Sequence, residues 1–169
     1  MQQIQTAFDE LASPDAIDRI DAVLSKFGQE LAQFLCRPDL MATHRMVLAE
    51  AGHSNVGELF YEAGPKQGVS DLGAFLGRAM EKGRMRKEDP TVAALQFFAL
   101  LEAEIQLRWY YRDPPPLSDT QITGIAQRAV ATFSRAYELQ PAPRVRQRHH
   151  GEIIQARVPH VHLLEHRRH

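Results

Sequence analysis

Few residues in this sequence stand at spacings that could do chemistry, and each can be set against what the chemistry requires. Glu50-Ala51-Gly52-His53 is a Glu-x-x-His, the spacing that puts a carboxylate and an imidazole on one helical face in di-iron bundles. Such a centre needs a second copy and two further glutamates. No second Glu-x-x-His occurs, and Gly52 reads as a helix end. Six histidines gather late in the chain, at His149, His150, His160, His162, His166 and His169. Imidazole is a good ligand for zinc or nickel, but these spacings match no ordered site, so only incidental metal binding is expected there. Cys36 is the sole cysteine, which excludes an internal disulfide and any Cys-based zinc site. Arg37 beside it could lower the thiol pKa, yet a lone cysteine at the end of an apolar helix reads as a small hydrophobe. Gly-x-Ser-x-Gly, the P-loop and the Gly-rich dinucleotide turn are all missing. The expectation is a protein that is not an enzyme and carries no metal or cofactor.

The elements that would position these residues are helices. Apolar residues recur at spacings of three and four, without sustained alternation, so the predicted fold class is all-α with about seven helices. Ile4, Phe8 and Leu11 mark a first helix. Ser13-Pro14 carries a helix-start signal for a second, with Ile17, Ile20, Leu24, Phe27, Leu31 and Phe34 inward and an end near Cys36. Pro38-Asp39 opens a third, with Leu40, Met41, His44, Val47 and Leu48 inward. A short fourth holds Val56, Leu59 and Phe60 and closes at Gly64-Pro65. The fifth turns Val69, Leu72, Phe75, Leu76 and Met80 inward and ends at Gly83. The sixth starts at Asp89-Pro90 and is apolar nearly all round over Val92–Leu101, which predicts a place at the centre of the fold or against a partner. After the break at Pro114-Pro115-Pro116, Ser118 and Gln121 form a capping box for the seventh. That helix presents Ile122, Ile125, Ala126, Ala129, Val130, Phe133 and Tyr137, with small residues that let another helix come close.

The balance of charge is uneven. From Pro141 onward six arginines stand against two glutamates, a net +4, and since the whole chain is −1 the residues before it carry −5. An acidic body is a poor surface for duplex DNA, which is met first through its phosphates. The Arg- and His-rich stretch 140–169 reads as a flexible solvated tail. The start MQQIQTAFDE is no secretory signal, and the longest apolar run is about half a membrane span and holds Gln96. With a single cysteine, a soluble cytoplasmic protein is expected, with no membrane partner.

Three stretches carry a family resemblance: Arg45–Ala51 (RMVLAEA), Leu59–Pro65 (LFYEAGP) and Gly83–Pro90 (GRMRKEDP), with the apolar helix that follows. Over residues 15–138 the sequence resembles the C-terminal regulatory domain of TetR/AcrR-type transcriptional regulators, closest to the AefR-like subgroup. The resemblance implies 1–13 as a remnant of the connecting helix and 14–139 as an effector-binding and dimerisation domain; the tail 140–169, read from its composition, has no counterpart in the family pattern. It implies a homodimer in which the last two helices of each subunit form a four-helix bundle, here through Phe98, Leu101, Ile105, Ile122, Ile125, Ala126, Ala129, Val130 and Phe133. It also implies a cavity for a small, largely apolar effector, with Phe34, Met41, His44, Arg45, Leu48, Phe60, Tyr61, Phe75, Phe97, Leu101, Glu102 and Trp109 as candidate lining; each of these could equally be core. Repression is the commoner direction of control in the family. Its helix-turn-helix head has no counterpart in these residues, so operator DNA is expected to be reached only through a head this chain does not carry. Two other readings stand beside this one. One is a headless interaction protein that heterodimerises with intact regulators, and the other is a metal-binding helical bundle.

Overall fold

The computed structural model of the chain describes residues 2–137, with side chains from Ile4 onward. Among them seven α-helices follow in chain order: α1 (Gln2–Leu11), α2 (Ile20–Leu35), α3 (Pro38–Glu50), α4 (Val56–Ala63), α5 (Pro65–Glu81), α6 (Pro90–Glu102) and α7 (Asp119–Tyr137). Two short 3-10 turns, Ala16–Arg19 and Gln106–Tyr110, lie between α1 and α2 and between α6 and α7. No strand occurs among the described residues, and none of their helices is long and apolar enough to cross a membrane. The segment expected to be a basic tail, 140–169, lies outside the described residues.

Local chemistry sets the helix limits. Proline opens α3, α5 and α6, where its missing N–H costs nothing. The Asp89 carboxylate accepts from the backbone N–H groups of Thr91 (2.8 Å) and Val92 (3.1 Å), capping α6. At α7 the Ser118 hydroxyl accepts from the Gln121 backbone N–H (3.3 Å), and the Gln121 amide oxygen accepts from the Ser118 N–H (2.9 Å). This is the reciprocal box expected from the sequence. Gly83 follows α5 with φ of +68°, the left-handed conformation that costs a residue with a Cβ. The start of α2 departs from expectation. Ser13 caps no helix; its hydroxyl contacts the Asp15 carboxylate. A 3-10 turn follows, and Arg19 leaves helical geometry (φ −115°, ψ 33°) before α2 begins at Ile20. The tight turn seats both Ala16 and Ile17 in the core.

Helix α2 is the axis of the fold, packed against α1, α6 and α7. Phe27 is its centre, with Phe8 at 5.0 Å, Phe97 at 6.0 Å and Phe98 at 6.5 Å between ring centroids. One residue on, Gly28 lets α6 and α7 close in. A Cβ there would lie 3.3 Å from Val130 Cγ2 and 3.5 Å from Phe97 Cζ. Phe97 meets Phe133 edge-on at 5.1 Å, and Phe133 stacks on Tyr137 at 4.5 Å. The Tyr137 hydroxyl donates to the Gln96 amide oxygen at 2.6 Å, which locks the end of α7 to α6. Helix α5 buries Val69, Leu72, Phe75, Leu76 and Met80, the face read from the sequence.

The residues expected to form a dimer bundle are placed inside the chain itself. Leu101, Ile105, Ile122, Ile125, Ala126, Ala129, Val130 and Phe133 are all buried in the core of the single subunit. Phe98 is half-buried beside Phe27. The physical reason is simple: the amphipathic stripe of α7 covers α2 of its own chain first. What α6 leaves outward is another line of apolar residues, Val92 (46% exposed), Leu95 (48%) and Ala99.

Candidate functional site

Helices α3 and α4 form a thin outer layer. Helix α3 buries only Met41 and Val47, and α4 buries nothing fully. Met41 and Val47 are also separate from the main core cluster. Apolar area alone holds this corner weakly, so its directed contacts matter, and they converge on His44 and Arg45.

His44 hydrogen-bonds through Nδ1 to the Leu40 carbonyl, one turn back, at 3.0 Å. A carbonyl can only accept, so Nδ1 carries the proton and the ring is turned with Nε2 outward from that bond. The imidazole stacks on Trp109 (4.9 Å, 20°) and meets Phe60 edge-on (5.0 Å, 73°). Three elements, α3, α4 and the 3-10 turn Gln106–Tyr110, are thus joined by one aromatic sandwich. Offset stacks and edge contacts of this kind add about 0.5–1.5 kcal/mol beyond the area they bury.

Arg45 reaches the same turn. Its guanidinium donates to the carbonyls of Arg108 (3.1 Å), Tyr111 and Arg112 (3.4 Å). Arg108 in turn donates to the Pro115 carbonyl. Arg45 therefore acts as a clamp that holds the α6–α7 connection against α3. Hydrogen bonds from a charged donor contribute about 1.5–3 kcal/mol each when well made. Arg45→Met should cost about 2 kcal/mol in urea unfolding and raise amide exchange across 106–112. Unchanged protection of those amides would remove the clamp.

Glu102 sits half-buried at the end of α6, close to His44. Burial pushes its carboxyl above the ordinary value of 4.5, while His44 and a contact from Gln106 pull partly the other way. The sign follows from linkage: a raised folded-state pKa contributes stability that is complete below 4.5 and lost as pH rises through the folded value. Glu102→Gln should flatten that slope, so the wild type gains on the variant between neutral pH and pH 4.5. A denaturant midpoint that falls equally for both over this range would sink the assignment.

Cys36 is half-buried, and burial raises its thiol pKa, with Arg108 opposing, so it is no activated nucleophile. Glu50 and His53 of the Glu-x-x-His are both exposed, and no three His, Cys, Asp or Glu side chains converge among the described residues.

The twelve candidate lining residues divide by place. His44, Arg45, Phe60, Glu102 and Trp109 come together as described. Phe75, Phe97 and Leu101 are fully buried in the main core. Phe34 is half-buried, with the Arg37 guanidinium 5.8 Å over its ring. Leu48 (63% exposed) and Tyr61 (45%) face outward, because α3 and α4 bury narrower faces than their apolar residues suggest. Two surface clefts lie elsewhere. One of about 310 Å³ opens between the α6–α7 connection and α7, lined by Arg108, Leu117, Thr120, Gln121, Gly124 and Ile125 with the Glu104–Arg128 ion pair. The other, about 240 Å³, lies between α1 and α5 around Phe8 and Arg78. Neither is lined by any of the twelve. Arg108 is the residue of this corner that sequence reasoning passed over. The available signal was at its partner, since Arg45 has Met41, Ala42, Leu48 and Ala49 at helical spacing and no acid to pair with.

The described residues thus form a helical core wrapped around α2, with a thin outer layer pinned to an interhelical connection. The chain belongs to the TetR-type regulators: residues 22–139 match the family model of the C-terminal domain of AefR-like transcriptional repressors. Two solved structures share the fold. A TetR-family transcriptional regulator from Mesorhizobium loti MAFF303099 superposes with a TM-score of 0.64 at 17% identity, over 80% of this chain and 71% of that one. The flavonoid-responsive regulator FrrA gives 0.62 at 19% identity, over 82% and 74%. No curated protein matches the sequence.

Proposed function

We propose that this domain binds a small, largely apolar, flat effector at the His44–Phe60–Trp109 cluster and pairs with a second copy through the outer face of α6 and α7. Binding would shift the position of α3 relative to the α6–α7 connection, and so the geometry in which a DNA-reading head of the whole regulator is held. The direction of control we propose is repression relieved by the effector. The observation that carries the reading is the aromatic sandwich pinned by Arg45. Among the described residues it is the one place where α3, α4 and the lead into α7 meet through rings. Ligand sites are mostly apolar with a few directing polar groups, which is the composition here. A regulator of similar fold is named for its response to flavonoids, which are flat aromatic molecules, and this agrees with rings as the recognition element. A ligand shifts a conformational equilibrium only by its differential affinity for the two states. The Arg45 clamp supplies the bond that differs between them.

The test is direct, because Trp109 is the sole tryptophan and reports this site alone. Titration with a panel of two- and three-ring aromatic compounds, excited selectively at tryptophan, should give saturable quenching by at least one member. That quenching should be lost in His44→Ala. A panel that leaves Trp109 emission unchanged throughout would sink the reading.

A further inference from the structure

We propose that the cleft of about 310 Å³ between the α6–α7 connection and α7 is a second ligand site, one that takes a short-chain monocarboxylate. It is separate from the aromatic cluster, since none of His44, Phe60 and Trp109 lines it. Its lining comes from two elements. The connection supplies Arg108 and Leu117, and α7 supplies Thr120, Ile125 and Arg128. Glu104, just past the end of α6, belongs to the same lining.

Charge decides the sign of the ligand. Arg128 donates from Nε to Glu104 Oε1 at 2.8 Å and from Nη2 to Oε2 at 2.6 Å. These bonds hold the Glu104 carboxyl below its ordinary value, so it stays ionised and is matched by Arg128. Arg108 has no such partner. It joins no ion pair among the described residues. Its Nη2 donates to the Pro115 carbonyl, which is neutral. Two guanidiniums and one carboxylate leave the lining at +1, and the unmatched charge is that of Arg108. One unmatched cation suits a single negative charge.

Donors and shape fix the rest. Guanidinium nitrogens only donate, so the ligand must accept. Arg108 Nη1 makes no bond among the described residues. Arg128 uses Nε and Nη2 on Glu104, which leaves Nη1. That nitrogen lies over Gly124, where a Cβ would stand 3.1 Å from it. Glycine at this position is what lets the guanidinium lie against α7. A carboxylate with two oxygens suits a planar arginine fork better than a single-oxygen acceptor. Ile125 is buried and Leu117 is half-buried against the core, so the cleft also offers hydrocarbon. Its volume stands at the small end of ligand sites, which run to roughly 300–1,000 Å³. Phosphate would set a second negative charge against Glu104 and give Leu117 and Ile125 nothing to cover. A short acid with an apolar chain meets both needs.

The full chain, labelled with nitrogen-15, would be titrated with isovalerate, isovaleramide and inorganic phosphate while its amide resonances are followed. Isovalerate should shift the amides of 117–125 saturably and bind about tenfold more tightly than isovaleramide, the margin of a charge-assisted hydrogen bond over a neutral one. Thr120→Phe, at an exposed position, should fill the cleft and abolish those shifts with both arginines still in place. Glu104→Gln should act in the opposite direction. It releases Arg128, takes the lining to +2, and should tighten isovalerate several-fold and admit phosphate. A gain in affinity cannot come from a misfolded variant. Equal binding of acid and amide, or phosphate binding the unaltered chain as tightly as isovalerate, would overturn the monocarboxylate assignment. Isovalerate shifts that fall on α3 and α4 and leave 117–125 unmoved would overturn the cleft as the site, and so would undiminished binding in Thr120→Phe.

Discussion

Phe97→Ala should lower the unfolding free energy by about 3–5 kcal/mol, the range for removing a fully buried large aromatic. Phe97 is 0% exposed and is the ring through which α6 joins both α2 and α7, by way of Phe27 and Phe133. The void would be hard to close. On the α2 side the wall is Gly28, which has no side chain to move inward, and a Cβ there would lie 3.3 Å from Val130 Cγ2. Collapse would need whole helices to shift, so the loss belongs at the upper end of the range. Domains of this size have about 5–15 kcal/mol in total, so the variant should approach the limit of folding at body temperature. Urea unfolding followed by circular dichroism reads the change directly. A loss below about 1.5 kcal/mol would mean that Phe97 is not the keystone of the α2–α6–α7 packing. Phe98→Ala, one residue along and half-buried at the edge of the cluster, should lose clearly less.

That contrast between Phe97 and Phe98 shows where the sequence was legible. Helices α5 and α7 carry apolar residues on one stripe and polar residues elsewhere, so their buried faces follow from spacing alone. In α6 nearly every position is apolar, so the pattern has no phase and cannot say which side faces α2. Helices α3 and α4 mislead in the opposite way. Their apolar residues look inward by spacing, but Leu48, Leu59 and Tyr61 stand exposed, because only a narrow strip of either helix meets the core. The site was half legible. His44 and Trp109 were visible as residue types, but their stack joins positions 65 apart, and no local pattern encodes it. Arg108 stood out only once its unmet hydrogen-bonding capacity could be seen.

Leu95→Glu should convert the dimer proposed here to a folded monomer, weakening association by about a thousandfold. The position is chosen by what the subunit leaves uncovered. Every candidate interface residue on α7 is already buried by its own chain, so none of them can lose further area to a partner. Along α6, Val92, Leu95 and Ala99 repeat at three and four residues on the side turned away from the core, which is the stripe a second helix would cover. In a two-fold dimer one substitution enters the interface twice. At about 2 kcal/mol for each disrupted anchor the two sum to about 4 kcal/mol, or close to three decades in Kd. The outward position of Leu95 also keeps fold and assembly separable. The same exchange at Leu101, which is 0% exposed within the single chain, would bury an unpaired charge in the subunit core and unfold it. Sedimentation of Leu95→Glu should therefore give a monomer with native helicity, while Leu101→Glu should lose helicity itself. If Leu95→Glu keeps the wild-type dissociation constant, the outer face of α6 is not where two copies meet, and the partner surface must be sought on the exposed face of α3 and α4.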